Sequence, residues 1–82
     1  GVSDAPSAER QLAARDYMRL VTELLARLEP PRLAEVFRRH KIDGVPQRQV
    51  AQEMGISLST VESDLRTVYR ALADLKERHD EA

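Results

Sequence analysis

The sequence predicts an all-α fold of four helices, the last two forming a helix-turn-helix. Val61, Leu65, Val68, Leu72 and Leu75 recur at spacings of four and three, the seam of one amphipathic helix. Gly55 separates that run from a shorter one that carries Val50, Ala51 and Met54. Pro30-Pro31 and Asp43-Gly44 punctuate the rest of the chain, and no strand-period alternation appears. The helices are expected at about 8–28, 31–42, 46–54 and 58–78.

Residues 1–7 are small, polar and proline-bearing, and read as a flexible linker or an expression leftover, which leaves 8–82 as one domain. Ser7 is placed to cap the first helix. Its apolar positions Tyr17, Leu20, Val21, Leu24, Leu25 and Leu28 form a stripe, with Arg10, Arg15, Arg19, Glu23 and Arg27 mainly on the other side. Glu23 and Arg27 stand in the favourable order for an ion pair along the helix.

Pro30-Pro31 ends that helix, because the residue before a proline is pushed out of the α region. Pro31 suits the first turn of the next helix. There Leu33, Val36 and Phe37 point inward, with Phe37 near the centre of the core. Asp43-Gly44 is a stop signal, with Gly44 expected at positive φ. Helix three starts near Pro46 and buries Val50, Ala51 and Met54. Gly55 then fits the left-handed position past a helix end, Ile56 plugs the corner, and Ser57 caps the fourth helix. The tail from Asp80 to Ala82 is expected to fray.

At about 100° per residue, Ser59, Ser63, Arg66, Thr67 and Arg70 fall opposite the apolar seam of helix four. An ordinary pair of packed helices with a solvated face gives the same periodicity. What favours DNA is the small Ala51, four residues before Gly55, and the hydroxyl cluster just after the turn. Short hydroxyls at a helix N-terminus suit phosphate contact, helped by free N–H groups and the helix dipole. Such units place their second helix in the major groove.

Composition narrows the function classes. A chain of 82 residues makes one domain with a thin core, and its 33% charged residues and 4% aromatics suit helices packed through Leu, Val and Ala. With no cysteine, disulfides and thiolate metal sites are excluded. No apolar run approaches the roughly 18 residues of a membrane span, and no signal-peptide pattern appears, so the cytoplasm is the expected location. The net charge of −1 counts against a free-standing DNA binder. Its distribution matters more: Arg32, Arg38, Arg39, Lys41 and Arg48 face only Glu35 and Asp43 in the same segment, which suggests a local basic surface.

The chemistry of an enzyme is missing. His40 and His79 lie far apart without acids at ligand spacing, and read as a half-exposed helix residue and a solvated tail residue. No Gly-rich phosphate loop occurs, and the hydroxyls have no nearby His or Lys base. Glu62 and Asp64 are two apart on a helix and do not face each other. Neither a cofactor nor a metal is expected.

The run Glu35-Val-Phe-Arg-Arg-His-Lys-Ile-Asp-Gly44, followed by Gln47-Arg-Gln-Val-Ala-Gln-Glu-Met-Gly-Ile-Ser-Leu-Ser-Thr-Val-Glu62, resembles region four of a bacterial sigma factor. The likeness is to the extracytoplasmic-function group and, within it, the iron-uptake branch. Leu28-Glu-Pro-Pro-Arg32 resembles that family's entry motif, and the likeness spans about Gln11 to Leu75. It implies a four-helix domain that reads the minus-35 promoter element. Its other surface would dock on the β-subunit flap of RNA polymerase, and an anti-sigma protein would mask it. Residue by residue, it implies base-edge contacts at Glu62, Ser63 and Arg66. Phosphate contacts would come from Ser59, Thr60 and Thr67, with Arg48 assisting from helix three. Pro46 departs from the family, which usually has a capping serine there. With no promoter-melting domain in the 82 residues, the chain is expected to be an excised C-terminal domain of a longer factor.

Two other readings compete. One is the effector domain of a response regulator or quorum-type factor, in which a dimerisation helix follows the recognition helix. The other is a protein-interaction module bound by an anti-sigma factor, with a vestigial DNA face.

Overall fold

The computed structural model describes residues 8–81, with side chains over 14–80. It is all-helical over those residues: α1 (Ala8–Arg27), α2 (Arg32–Phe37) prolonged by a π-helical turn (Arg38–Ile42), α3 (Gln47–Met54) and α4 (Leu58–Glu81). Four helices in the expected order are present, and the differences lie at their ends. Ser7, the expected cap of α1, lies outside the described residues.

The proline effects are local. Pro31 stays just outside α2, and the Leu33 N–H donates to the Pro30 carbonyl at 3.0 Å. Pro46 also stays outside its helix: with φ −58° and ψ 146° it is extended, and only its carbonyl joins α3, accepting from the Val50 N–H at 3.0 Å. Helix three therefore starts one residue later than expected, with no side chain capping it.

The second helix does not remain α-helical to its end. From Arg38 the Asp43 N–H reaches five residues back to the Arg38 carbonyl, which widens the last turn. Gly44 at φ 75° then reverses the chain, so that the Val45 N–H meets the Arg39 carbonyl at 3.0 Å. The half-buried His40 donates from Nδ1 to the Val45 carbonyl at 2.8 Å, tying the turn shut.

Leu33, Val36 and Phe37 of α2, Val50 and Ala51 of α3, and Val61, Leu65 and Val68 of α4 make the core. The fully buried positions are Val36, Val50, Val61 and Val68, so three helices meet there and Phe37 sits slightly off centre. Leu25, Leu28, Val45, Met54, Ile56 and Leu72 close its edges. α4 packs against each of the other three helices. It has 24 residues, roughly 36 Å at ~1.5 Å per residue, and the molecule is elongated at 52 × 25 × 16 Å.

The fourth helix extends to Glu81, three residues past the expected end at 78, and Ala82 lies outside the described residues. Its far half lies along α1, whose Tyr17, Leu20, Val21 and Leu24 are only half-buried. The contact includes Tyr17 against His79, ring centroids 5.1 Å apart, so His79 is a packed residue and not a solvated one. The expected Glu23–Arg27 ion pair is not formed; among the described residues of α1, Asp16 and Arg19 pair at 3.5 Å, both ends well exposed. No helix among the described residues is long and apolar enough to cross a membrane.

Candidate nucleic-acid interface

The turn between α3 and α4 is built from backbone geometry that the residue types permit. Gly55 takes φ 67° and ψ 33°, a left-handed conformation that a Cβ penalises. In that conformation the Ile56 N–H returns to the Ala51 carbonyl at 3.0 Å and the Gly55 N–H to the Gln52 carbonyl at 3.3 Å. These two bonds satisfy carbonyls that the end of α3 would otherwise leave free. Ser57 Oγ then accepts from the Thr60 N–H at 3.1 Å and caps α4. Its hydroxyl also lies 2.8 Å from that of Thr60 and 3.1 Å from that of Ser59.

The rotation of α4 about its axis decides what it shows to a partner. Its apolar seam fixes one side, since Val61 and Val68 are wholly buried and Leu65 nearly so. A second restraint comes from Asp64, only 6% exposed, which accepts two hydrogen bonds from Arg32. Arg32 Nε reaches Oδ2 at 2.7 Å and its terminal nitrogen reaches Oδ1 at 3.1 Å, a forked geometry that resists twisting. The hydrogen bond to Asp64 raises the guanidinium pKa, against a smaller opposing effect of burial.

With α4 so held, Ser59, Glu62, Ser63, Arg66, Thr67 and Arg70 are exposed, Thr60 is half-buried, and Arg48 is exposed on α3. The structure does not present all of these alike. The Thr67 hydroxyl donates to the Ser63 carbonyl at 3.1 Å, so its proton is committed within the helix. Glu62 and Arg66 line one open cleft of about 350 Å³, together with Gln47, Leu65 and Tyr69. No Glu62–Arg66 ion pair occurs among the described residues, whose pairs lie elsewhere.

The expected basic surface between Arg32 and Arg48 is largely neutralised. Besides Arg32 on Asp64, Arg38 binds Glu35 at 2.7 Å and Asp43 at 2.8 Å, and Arg39 binds Glu35 at 2.8 Å and Glu53 at 2.9 Å. Hydrogen bonds from Arg38 and then Arg39 hold the Glu35 carboxyl below its ordinary range, and Glu35 in turn raises the Arg38 pKa. Of the five cations, only Lys41 and Arg48 have no acid partner among the described residues. Acids recruited from α3 and α4 account for the difference, because Glu53 and Asp64 lie far along the chain.

Sequence patterns do not mark three residues of this region. Asp64 falls on the flank of the apolar seam, and its partner is 32 residues away along the chain. Gln47 and Tyr69 come to line one cleft only when α3 and α4 are folded together, and no periodic signal distinguishes them. The comparisons agree with the geometry: the family described as Sigma-70, region 4 matches residues 18–75. Comparison with curated proteins and with solved structures gives no match.

Proposed function

Since this chain belongs to the sigma-70 region 4 family, we propose that α4 reads the minus-35 element of a promoter while the domain rides on RNA polymerase. The observation that carries this reading is the exposure of Ser63 and Arg66 on the second helix of a capped helix-turn-helix whose opposite side is buried. Arg66 makes the principal base contact, donating to a guanine edge, with Ser63 beside it. Glu62 either accepts from a cytosine amine or orients Arg66. Ser59 and Thr60 approach a phosphate at the start of α4, where the helix dipole favours an anion and the Leu58 and Ser59 N–H groups lie ahead of the capped Thr60 N–H. Arg48 adds a cation from α3. Thr67 contributes least, since its hydroxyl proton is already used.

Affinity and function separate here. A good base contact discriminates by about 1–3 kcal/mol, and association costs roughly 4–15 kcal/mol. Binding by the domain alone is therefore weak, micromolar or poorer. Docking on the β-subunit flap supplies the missing affinity by raising the local concentration of α4 at the promoter. The likeness to the extracytoplasmic-function group, iron-uptake branch, adds an anti-sigma protein as a third partner and implies the bacterial cytoplasm as the site of action.

The test is an NMR titration of the chain, first with DNA duplexes drawn from a randomised pool and then with the polymerase flap segment. Shifts from Ser59 to Arg70 with DNA, and on a different surface with the flap, are expected. Duplex binding that leaves that face of α4 unperturbed rejects the reading.

A further inference from the structure

The cleft on the α3 side of α4 holds polar groups that promoter reading by Ser63 and Arg66 does not use. Its floor is Leu65, and Glu62, Arg66 and Tyr69 line it from α4 while Gln47 lines it from the first turn of α3. Glu62, Arg66 and Tyr69 are spaced by four and three, so they share one side of the helix, next to the outermost line through Ser63 and Arg70. Tyr69 is 40% exposed although its ring is anchored edge-on against Phe37, centroids 6.1 Å apart and planes at 80°. A tyrosine held by its ring with its body partly in solvent offers a fixed phenol at little entropic cost.

We infer that Gln47 and Tyr69 form a second DNA contact, a clamp on one phosphodiester of the strand that passes along the α3 side of the recognition helix. This rests on α4 being the DNA-reading helix. The chemistry is that of a neutral donor pair: the Tyr69 hydroxyl and the Gln47 amide both donate, and phosphate oxygens only accept. Arg66 lines the same cleft and offsets the Glu62 carboxylate, which otherwise repels a phosphate. One strand then touches two helices, which adds affinity without adding base discrimination. A protein or small acidic ligand is the less favoured occupant, because the cleft is open along α4 and continuous with the Ser63–Arg66 face.

The experiment measures duplex affinity of the chain and of Tyr69→Phe, Gln47→Ala and Arg66→Ala, on duplexes recovered from a randomised pool and on scrambled versions. Tyr69→Phe keeps the ring against Phe37 and loses only the hydroxyl. It is expected to weaken binding by roughly two- to tenfold, the usual worth of one hydrogen bond. The loss is expected to be equal on selected and scrambled duplexes, with thermal melting unchanged, and Gln47→Ala is expected to behave alike. Arg66→Ala, by contrast, changes the preference between them. Wild-type affinity in both Tyr69→Phe and Gln47→Ala, alongside altered preference in Arg66→Ala, overturns the clamp and leaves the promoter reading standing. Unaltered preference and affinity in all three variants overturns both. If Tyr69→Phe lowers the melting temperature, Gln47→Ala alone decides: weakened binding supports the clamp and unchanged affinity refutes it.

Discussion

Leu65 and Arg66 are neighbours on α4 with opposite surroundings, and substituting each by alanine separates folding from DNA reading. Leu65 is 3% exposed and packs in the core formed by α2, α3 and α4. Its truncation removes buried carbons and leaves a void among valines, at a cost of about 2–5 kcal/mol. A chain of 82 residues has a total stability of roughly 4–12 kcal/mol at the usual worth per residue. Leu65→Ala therefore removes a large share of it, and lowers the melting temperature by at least about 8 °C for a domain of this size. Arg66 is exposed and has no ion-pair partner among the described residues, so Arg66→Ala leaves melting nearly unchanged and slightly favours the helix. Its effect falls on recognition: losing one bidentate base contact of about 1–3 kcal/mol weakens preferred over scrambled duplex by roughly 5- to 150-fold. Circular dichroism melting and fluorescence anisotropy measure the two effects. An unchanged melting temperature for Leu65→Ala, or a collapsed one for Arg66→Ala, refutes the rotation of α4 that sets the recognition face.

Four further outcomes are expected. Gly55→Ala forces a Cβ into the left-handed region with no atom within 4 Å to clash, so it costs the backbone strain alone, about 1–2 kcal/mol by chemical denaturation, and Gly55→Asn costs less. Asp64→Asn keeps the shape but weakens the forked bond to Arg32; a lower melting temperature and a reduced duplex preference are expected, and unchanged values for both argue against Arg32 bracing α4. The Glu35 carboxyl has a folded-state pKa lowered from 4.5, so the unfolded chain binds its proton more readily and the stabilisation is present in full above that value. It is lost as pH falls through the folded pKa; the melting difference between wild type and Glu35→Gln therefore shrinks below about pH 4.5, and a constant difference refutes the pairing. Finally, among the described residues, Arg48, Arg66 and Arg70 are the exposed arginines without an acid partner on α3 and on α4 as far as Arg70. The slope of log affinity against log salt is therefore expected to be no steeper than about −3, and a steeper slope means that further cations, such as Lys41 or released paired arginines, join the contact.

The sequence carried what is local. Gly55, Ser57 and the spacing of Val61, Leu65 and Val68 each act within one turn or one helix, and each is found where those rules put it. The helix ends differ by small amounts for equally local reasons: Pro46 has no N–H to donate and stays extended, while the chain at Arg38 widens into a π turn. Side-chain pairing was the part that could not be read. Arg32 finds Asp64 and Arg39 finds Glu53 because helices distant in sequence are laid side by side, and neither charge nor periodicity names the partner. The same holds for His79 against Tyr17, and for Gln47 and Tyr69 on one cleft. The direction in which Ser63 and Arg66 point was legible because it follows from the seam; the pairing of the nearby arginines was not.

That pairing bears on how a chain of net charge −1 can serve as a DNA-binding domain. Arg32 and Arg39 are spent on carboxylates of α4 and α3, and Arg38 on Glu35 and Asp43 of its own segment, so most of the apparent basic patch is neutralised internally. Nonspecific attraction to the DNA backbone scales with the phosphates neutralised, and few cations are left for it. A free-standing regulator needs that attraction to find its site among competing sequence. A domain delivered by polymerase does not, because the enzyme already lies on DNA and only the local choice of bases remains to be made. On the proposed function, the sparse outward charge and the braced α4 belong together: bracing by Arg32 would keep Ser63 and Arg66 aligned for base reading, while weak backbone attraction would keep the domain from holding a polymerase at unsuited sequence.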